Sequence, residues 1–199
     1  MEKVSDVGDK LGEMNLSYQR VLFLATSLVV LQAIVLFSLG QPAICECGYL
    51  KFWEGEVLSS GNSQHLFDWY TFSHVIHGFV FYWILTLTAP RLSLRWRLLL
   101  ALGVEVTWEV VENTPWLIDH YRQQALAQGY VGDSVINSIS DTLAAALGFL
   151  IAWRMPILVV IALALAMELF VGYSIRDNLT LNVLGFFYRP EFIATWQAP

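Results

Sequence analysis

Asn62-Ser-Gln-His-Leu-Phe-Asp-Trp-Tyr-Thr-Phe-Ser-His-Val-Ile-His-Gly78 begins as a polar loop and ends inside an apolar helix, and its reading decides the fold. It carries three of the protein's four histidines, His65, His74 and His77. The apolar run from about residue 69 to 89, ended by Pro90, is long enough to cross a bilayer core, which takes about 20 helical residues. Imidazoles in such a span are costly in lipid, so His74 and His77 must face protein. Other helices with polar faces therefore have to surround this one.

The composition agrees. Of 199 residues, 56% are hydrophobic and 14% charged, where a soluble domain carries about a quarter charged residues. The expected fold is all-α, a polytopic transmembrane bundle of about five spans in a single domain, residues 1–199. The spans fall near 21–40, 69–89, 96–113, 133–153 and 157–173, with an outer loop at 41–68. Thr114-Pro115 reads as a cap and first position of a short interfacial helix, 115–128. Before the first span lies a polar leader, suited to a short surface helix. No cleavage site follows that span at a suitable distance, so it reads as a retained anchor. Phe186, Phe187, Tyr188 and Trp196 suit the tail to a membrane interface.

Basic residues set an orientation. Lys3, Lys10 and Arg20 precede the first span, Arg91, Arg95 and Arg97 follow the second, and Arg154 follows the fourth. The positive-inside rule puts the N-terminus in the cytoplasm, with the C-terminus and the Cys45/Cys47 loop outside a bacterial inner membrane. The formal net charge of −6 gives no reason to expect nucleic-acid binding.

In that topology the ionisable residues gather in the outer half. Glu105, Glu109 and Glu112 form one helical stripe, and Asp133, Asn137 and Asp141 another, because neighbours three and four apart share a face. At 1.5 Å per residue, Asp141 lies roughly 12 Å below Asp133 and Glu105 roughly 10 Å below Glu112, so the stripes overlap His74 and His77 in depth. Each carboxylate costs about 2.5–3.5 kcal/mol at a helix centre. Five or six together would rival a domain's whole stability of about 5–15 kcal/mol, so they should face inward.

Simpler readings stand beside the functional one. His74 and His77 can be a hydrogen-bonded core pair, Asp133 a helix cap, and Glu105 an interhelical hydrogen-bonding residue. Glu168 can pair with Arg176. Cys45 and Cys47, one residue apart, allow an unusual disulfide, a soft-metal pair or a purely structural loop. The sequence has no CxxCH, GxSxG, Walker A or HExxH motif.

Cys45-x-Cys47-Gly48, the stretch from Asn62 to Gly78, Glu109-x-x-Glu112-Asn113 and the Arg176-Asp-Asn-Leu-Thr-Leu-Asn182 run together resemble a family of uncharacterised bacterial inner-membrane proteins. The resemblance covers nearly the whole chain and implies no activity. More remotely, acidic stripes on short-looped spans look like VanZ-type membrane proteins.

The functional expectation is a site for metal-dependent or acid–base chemistry on a lipid or lipid-linked envelope substrate. His74, His77, Glu109, Glu112 and Asp141 would carry the chemistry, and with Asp133 they would hold a divalent metal ion. Asn113, Asn137, Arg176, His65 and Asp68 would orient the substrate, Arg176 by clamping an anionic head group. The rivals are a non-enzymatic metal- or proton-binding bundle and a structural subunit.

Overall fold

The computed structural model describes residues 16–123, 126 and 129–198. The leader expected to form a surface helix lies mostly outside them. The described residues form eight helices and no strand: α1 Tyr18–Ser38, α2 Thr71–Thr88, α3 Leu94–Glu112, α4 Pro115–Arg122, α5 Val135–Arg154, α6 Ile157–Ile175, α7 Leu179–Phe187 and α8 Glu191–Gln197. The expected interfacial helix is thus shorter, ending at Arg122, and residues 124, 125, 127 and 128 lie outside the described set. Thr114 does not cap α4 with its side chain; its hydroxyl donates to the Val111 carbonyl.

Three helices, α1, α5 and α6, are long and apolar enough to cross a membrane. Their apolar windows differ in surroundings: 61% of the α5 window is buried, against 11% for α1 and for α6. So α5 is the inner helix, packed on α1, α2, α3 and α6. The outer pair display large apolar side chains, such as Phe23, Leu31 and Ile34 on α1 and Leu158, Leu165 and Leu169 on α6. Helices α2 and α3 are of similar length and carry the histidines His74 and His77 and the glutamates Glu105, Glu109 and Glu112.

The closest backbone approach is between α2 and α5. A Cβ on Gly78 would fall on the Ala145 carbonyl oxygen, and one on Gly148 on that of Val75. Two glycines facing across an interface let helix backbones touch, as small residues do within membranes. This contact fixes the height of the α2 histidines against the α5 carboxylate.

The loop 41–68 folds over the start of α5. The first N–H groups of α5 would otherwise lack partners. Here Ser134 N–H donates to Ser63 O (2.9 Å), Val135 N–H to Pro42 O (2.9 Å) and Ile136 N–H to Ala43 O (3.2 Å). The N-cap of α5 is Ser134, whose hydroxyl accepts from Asn137 N–H, so Asp133 is not the cap the sequence allowed. Its carboxylate is free for the site below.

Cys45 and Cys47 form a disulfide with Cα atoms 5.1 Å apart, which selects one of the three readings open from sequence. Nor does Glu168 pair with Arg176. Its carboxylate accepts from Leu179 and Thr180 N–H (3.1 and 3.0 Å), capping α7. Arg176 ends α6 in the left-handed region at φ 58°, and its guanidinium donates to the Trp196 and Ala198 carbonyls.

Candidate functional site

The site is built on Glu105, which is fully buried on α3. His74 Nδ1 lies 2.6 Å from Glu105 Oε1, and His77 Nδ1 lies 3.3 and 3.2 Å from its two oxygens. Both rings come from α2, where the spacing of three residues puts them side by side, centroids 5.3 Å apart. One carboxylate thus accepts from two Nδ1–H groups. In the neutral tautomers this leaves each Nε2 with a free lone pair, the arrangement by which a carboxylate orients histidine ligands.

Further groups converge on His74. Glu109 Oε1 is 3.2 Å from its Nδ1, and Asp141 Oδ2 is 3.9 Å from its Nε2. Glu109 also accepts from Ser138 (2.6 Å), which itself accepts from the Gln32 amide (2.7 Å). Thr142 donates to the Gln32 carbonyl oxygen at 2.9 Å. A buried hydrogen-bonded run therefore leads from α1 through α5 to Glu109 on α3, which stands beside His74. Gln32 was legible only as the one strongly polar residue of its span; its partners required the packing.

Among the described residues, two triads have ligand atoms within 4.8 Å of one another and could hold a metal ion: His74, His77 and Glu105, and His74, Glu109 and Glu112. A third, Cys45, Cys47 and His65, has its sulfurs bonded to each other.

The triads border a cavity of about 450 Å³. His74, His77 and Asp141 line its polar depth; Glu112, Asp133, Tyr121 and Tyr130 line it nearer the loop end. Val104, Trp108, Leu179, Val183 and Phe186 supply apolar wall from α3 and α7. Glu109 sits behind this surface. Asp133 is held from both sides, by Asn113 Nδ2 (2.7 Å) and the Tyr130 hydroxyl (2.9 Å), while its N–H donates to Asn113 Oδ1. Gly132, at φ 96°, makes the turn that lets Asn113 approach.

Not every candidate converges. Asn137 is buried with its amide nitrogen unpartnered, on the α5 face of Asp141 but not lining the cavity. Asp68 organises the start of α2, accepting from Tyr70 N–H (2.8 Å) and Ser63 N–H (3.0 Å), and burial raises its carboxyl above the usual range. His65 stacks on Tyr49, and its Nδ1 accepts from Lys51 N–H; burial lowers its pKa despite Glu54 nearby. Burial pushes Glu54 itself upward, but the Lys51 ammonium at 2.7 Å and the Glu56 N–H outweigh it, holding the carboxyl low. Arg176 points at the tail carbonyls rather than the cavity.

With this geometry in view, the sequence comparisons bear on it directly. The family model described as "Protein of unknown function (DUF2585)" matches residues 36–199. The chain belongs to this family. It is 52% identical over 170 residues to a UPF0314 protein of Rhizobium meliloti (strain 1021), covering 85% of this chain and 86% of the relative. A UPF0314 protein of Sphingopyxis alaskensis is 51% identical over 174 residues, covering 87% and 93%. One from Rhizobium etli (strain CIAT 652) is 48% identical over 186 residues, covering 93% and 95%. No solved structure matches the chain. The family description assigns no chemistry, so the site has to be read from its own atoms.

The tail crosses the cavity as α7, held by Asp177. This buried carboxylate accepts from the Tyr70 hydroxyl (3.1 Å), Asn178 N–H (3.0 Å), Asn182 (3.1 Å) and Gln197 (3.2 Å). Burial pushes Asp177 up to about 6 from its ordinary 3.8, although these hydrogen bonds pull the other way. The folded state then binds the proton more tightly than the unfolded chain. Its contribution is fully present below about pH 4 and lost as the pH rises through 6, about 3 kcal/mol in all. Asp177→Asn, a mimic of the protonated form, should gain on wild type in melting temperature from pH 4 to 6 and level off above. A difference that stays constant over that range would rule the assignment out.

Proposed function

We propose that this protein is a five-span protein of the bacterial inner membrane, with its N-terminus in the cytoplasm. Its cavity would bind a divalent cation and support metal-dependent, acid–base chemistry on the polar head of a lipid or lipid-linked envelope molecule. The observation that carries this is one juxtaposition: His/Glu triads at the depth of a cavity whose other wall is apolar. Imidazole nitrogen and carboxylate oxygen together suit zinc, iron or manganese. His74 and His77 would hold the ion, with Glu105 either orienting them or joining them as a ligand, and with Glu109 and Glu112 beside them. Polarising a bound water or head-group oxygen is what such an ion supplies. The basic residues Arg91, Arg95, Arg97 and Arg154 lie at helix turns away from the site, which supports an outward-facing cavity.

A melting series tests it. Divalent ions should raise the melting temperature of purified protein over a chelator control, because binding the folded state alone adds stability. Glu109→Gln and Glu112→Gln should melt at or above wild type in chelator, since each removes one of several crowded carboxylates. They should also lose most of the ion's effect. Markedly lower stability in chelator, with a wild-type response to metal, would leave a structural network instead.

A second reading, a bundle that binds or passes cations or protons without catalysis, is favoured by the buried run Gln32–Ser138–Glu109. Metal binding without turnover of any envelope lipid would select it.

A further inference from the structure

The polar residues of the cavity are unbalanced in sign. Among its described lining residues are the carboxylates Glu112, Asp133 and Asp141, and no lysine or arginine. Arg176 and Arg189, the nearest basic residues of the tail, donate to the backbone carbonyls of Trp196, Ala198 and Gln123. Glu105 and Glu109 lie behind the surface, so the two triads alone bring three carboxylates, Glu105, Glu109 and Glu112, to His74 and His77, and Asp133 and Asp141 add to the acidic lining of the same cavity. The lining therefore offers an anionic head group no lysine or arginine to pair with.

Asp141 adds a more specific signal. It is 4% exposed and lines the cavity, and its Oδ1 has no hydrogen-bond partner. A buried carboxylate oxygen left unpaired is costly, and a cation entering the cavity would pair with it by charge, a primary ammonium by an N–H hydrogen bond as well. The same cavity is rich in rings: Tyr70, Trp108, Tyr121, Tyr130 and Phe186 line it. The Tyr70 and Tyr130 hydroxyls are already committed to Asp177 and Asp133, so their further contribution to the cavity is ring surface. Carboxylate and aromatic surface together make the chemistry that holds an ammonium ion.

We propose that the head group received by this cavity is an ammonium, primary or quaternary, on an amphipathic molecule. Its charge sits against Asp141 and its substituents against Trp108 and the tyrosine rings, while the apolar tail leaves between α3 and α7 past Val104 and Val183. This names the ligand for the lipid reading above and rests on it, but it does not require the metal.

The test uses the full chain in a neutral maltoside detergent, with dodecyltrimethylammonium, dodecyl phosphate, tetramethylammonium and a divalent ion as separate probes. Dodecyltrimethylammonium should raise the melting temperature and bind at least about tenfold more tightly than dodecyl phosphate. Asp141→Asn should weaken it about tenfold or more, and Trp108→Leu severalfold. Trp108→Leu should keep the melting response to the divalent ion, which separates this proposal from the metal reading, and Asp141→Asn should melt at or above wild type without added ligand, which shows that it folds. Equal binding of the phosphate and ammonium amphiphiles would overturn the head-group assignment. A response to tetramethylammonium as strong as to the dodecyl compound would overturn the amphipathic part. If no amphiphile binds while the ion still stabilises, the inference falls and the metal reading survives. Absence of any ion effect would sink the metal reading alone.

Discussion

Alanine at Gly78 or at Gly148 is expected to cost more stability than any other single-methyl change in the bundle. In each case the new Cβ lands on a backbone carbonyl oxygen of the facing helix, Ala145 or Val75, well inside van der Waals contact. Backbone cannot swing aside as a side chain can, so α2 and α5 must separate along their length. Overpacking of this kind costs about 1–3 kcal/mol, with the upper end expected here because the obstacle is main chain. The shift also reaches the site, since His74 and His77 ride on α2 and Asp141 on α5. Both variants should therefore lose melting temperature and any ion response together. Gly103→Ala is the control: it lies within α3 with nothing within 4 Å of the new atom, and should be neutral or gain about 0.5–1 kcal/mol from helix propensity. Similar melting of Gly103→Ala and Gly148→Ala would show that the close approach is not what holds the pair.

Much of this bundle was legible because polar residues on an apolar background leave a clean periodic mark. The spacing of Glu105, Glu109 and Glu112 correctly implied a single inward face, and Asp141 and His77 do share a cavity. What spacing cannot give is which partner each residue meets. Glu105 read as one member of a stripe, yet it receives both imidazoles, because that outcome depends on the height of α3 against α2. Arg176 and Glu168 were misjudged as a pair because charge invites pairing. A left-handed turn at Arg176 sends them to different backbone partners. Gly78 and Gly148 carried no signal as a pair, since small residues in an apolar run are compatible with several kinds of contact. Their meaning emerged only from the interhelical geometry.

The other large effect belongs to Glu105. If it orients the histidines and they bind the ion through Nε2, Glu105→Gln keeps the shape and one acceptor for the two Nδ1–H groups. Losing such an orienting carboxylate costs about 10–100-fold in metal affinity. The ion would still bind, and raising its concentration by the same factor should restore the full melting shift. If Glu105 is itself a ligand through the Nδ1 side, the amide cannot replace the charge, and no practical concentration restores the shift. Glu105→Leu removes the acceptor altogether and leaves two ring N–H groups facing an apolar side chain, each costing about 1–3 kcal/mol. It should melt well below both wild type and Glu105→Gln in chelator, in contrast to Glu109→Gln, which should not. The expected order in chelator is therefore Glu109→Gln at or above wild type, Glu105→Gln slightly below it, and Glu105→Leu far below. A Glu105→Leu protein as stable as wild type would mean that the two histidines do not depend on this carboxylate, and the site would have to be rebuilt around Glu109.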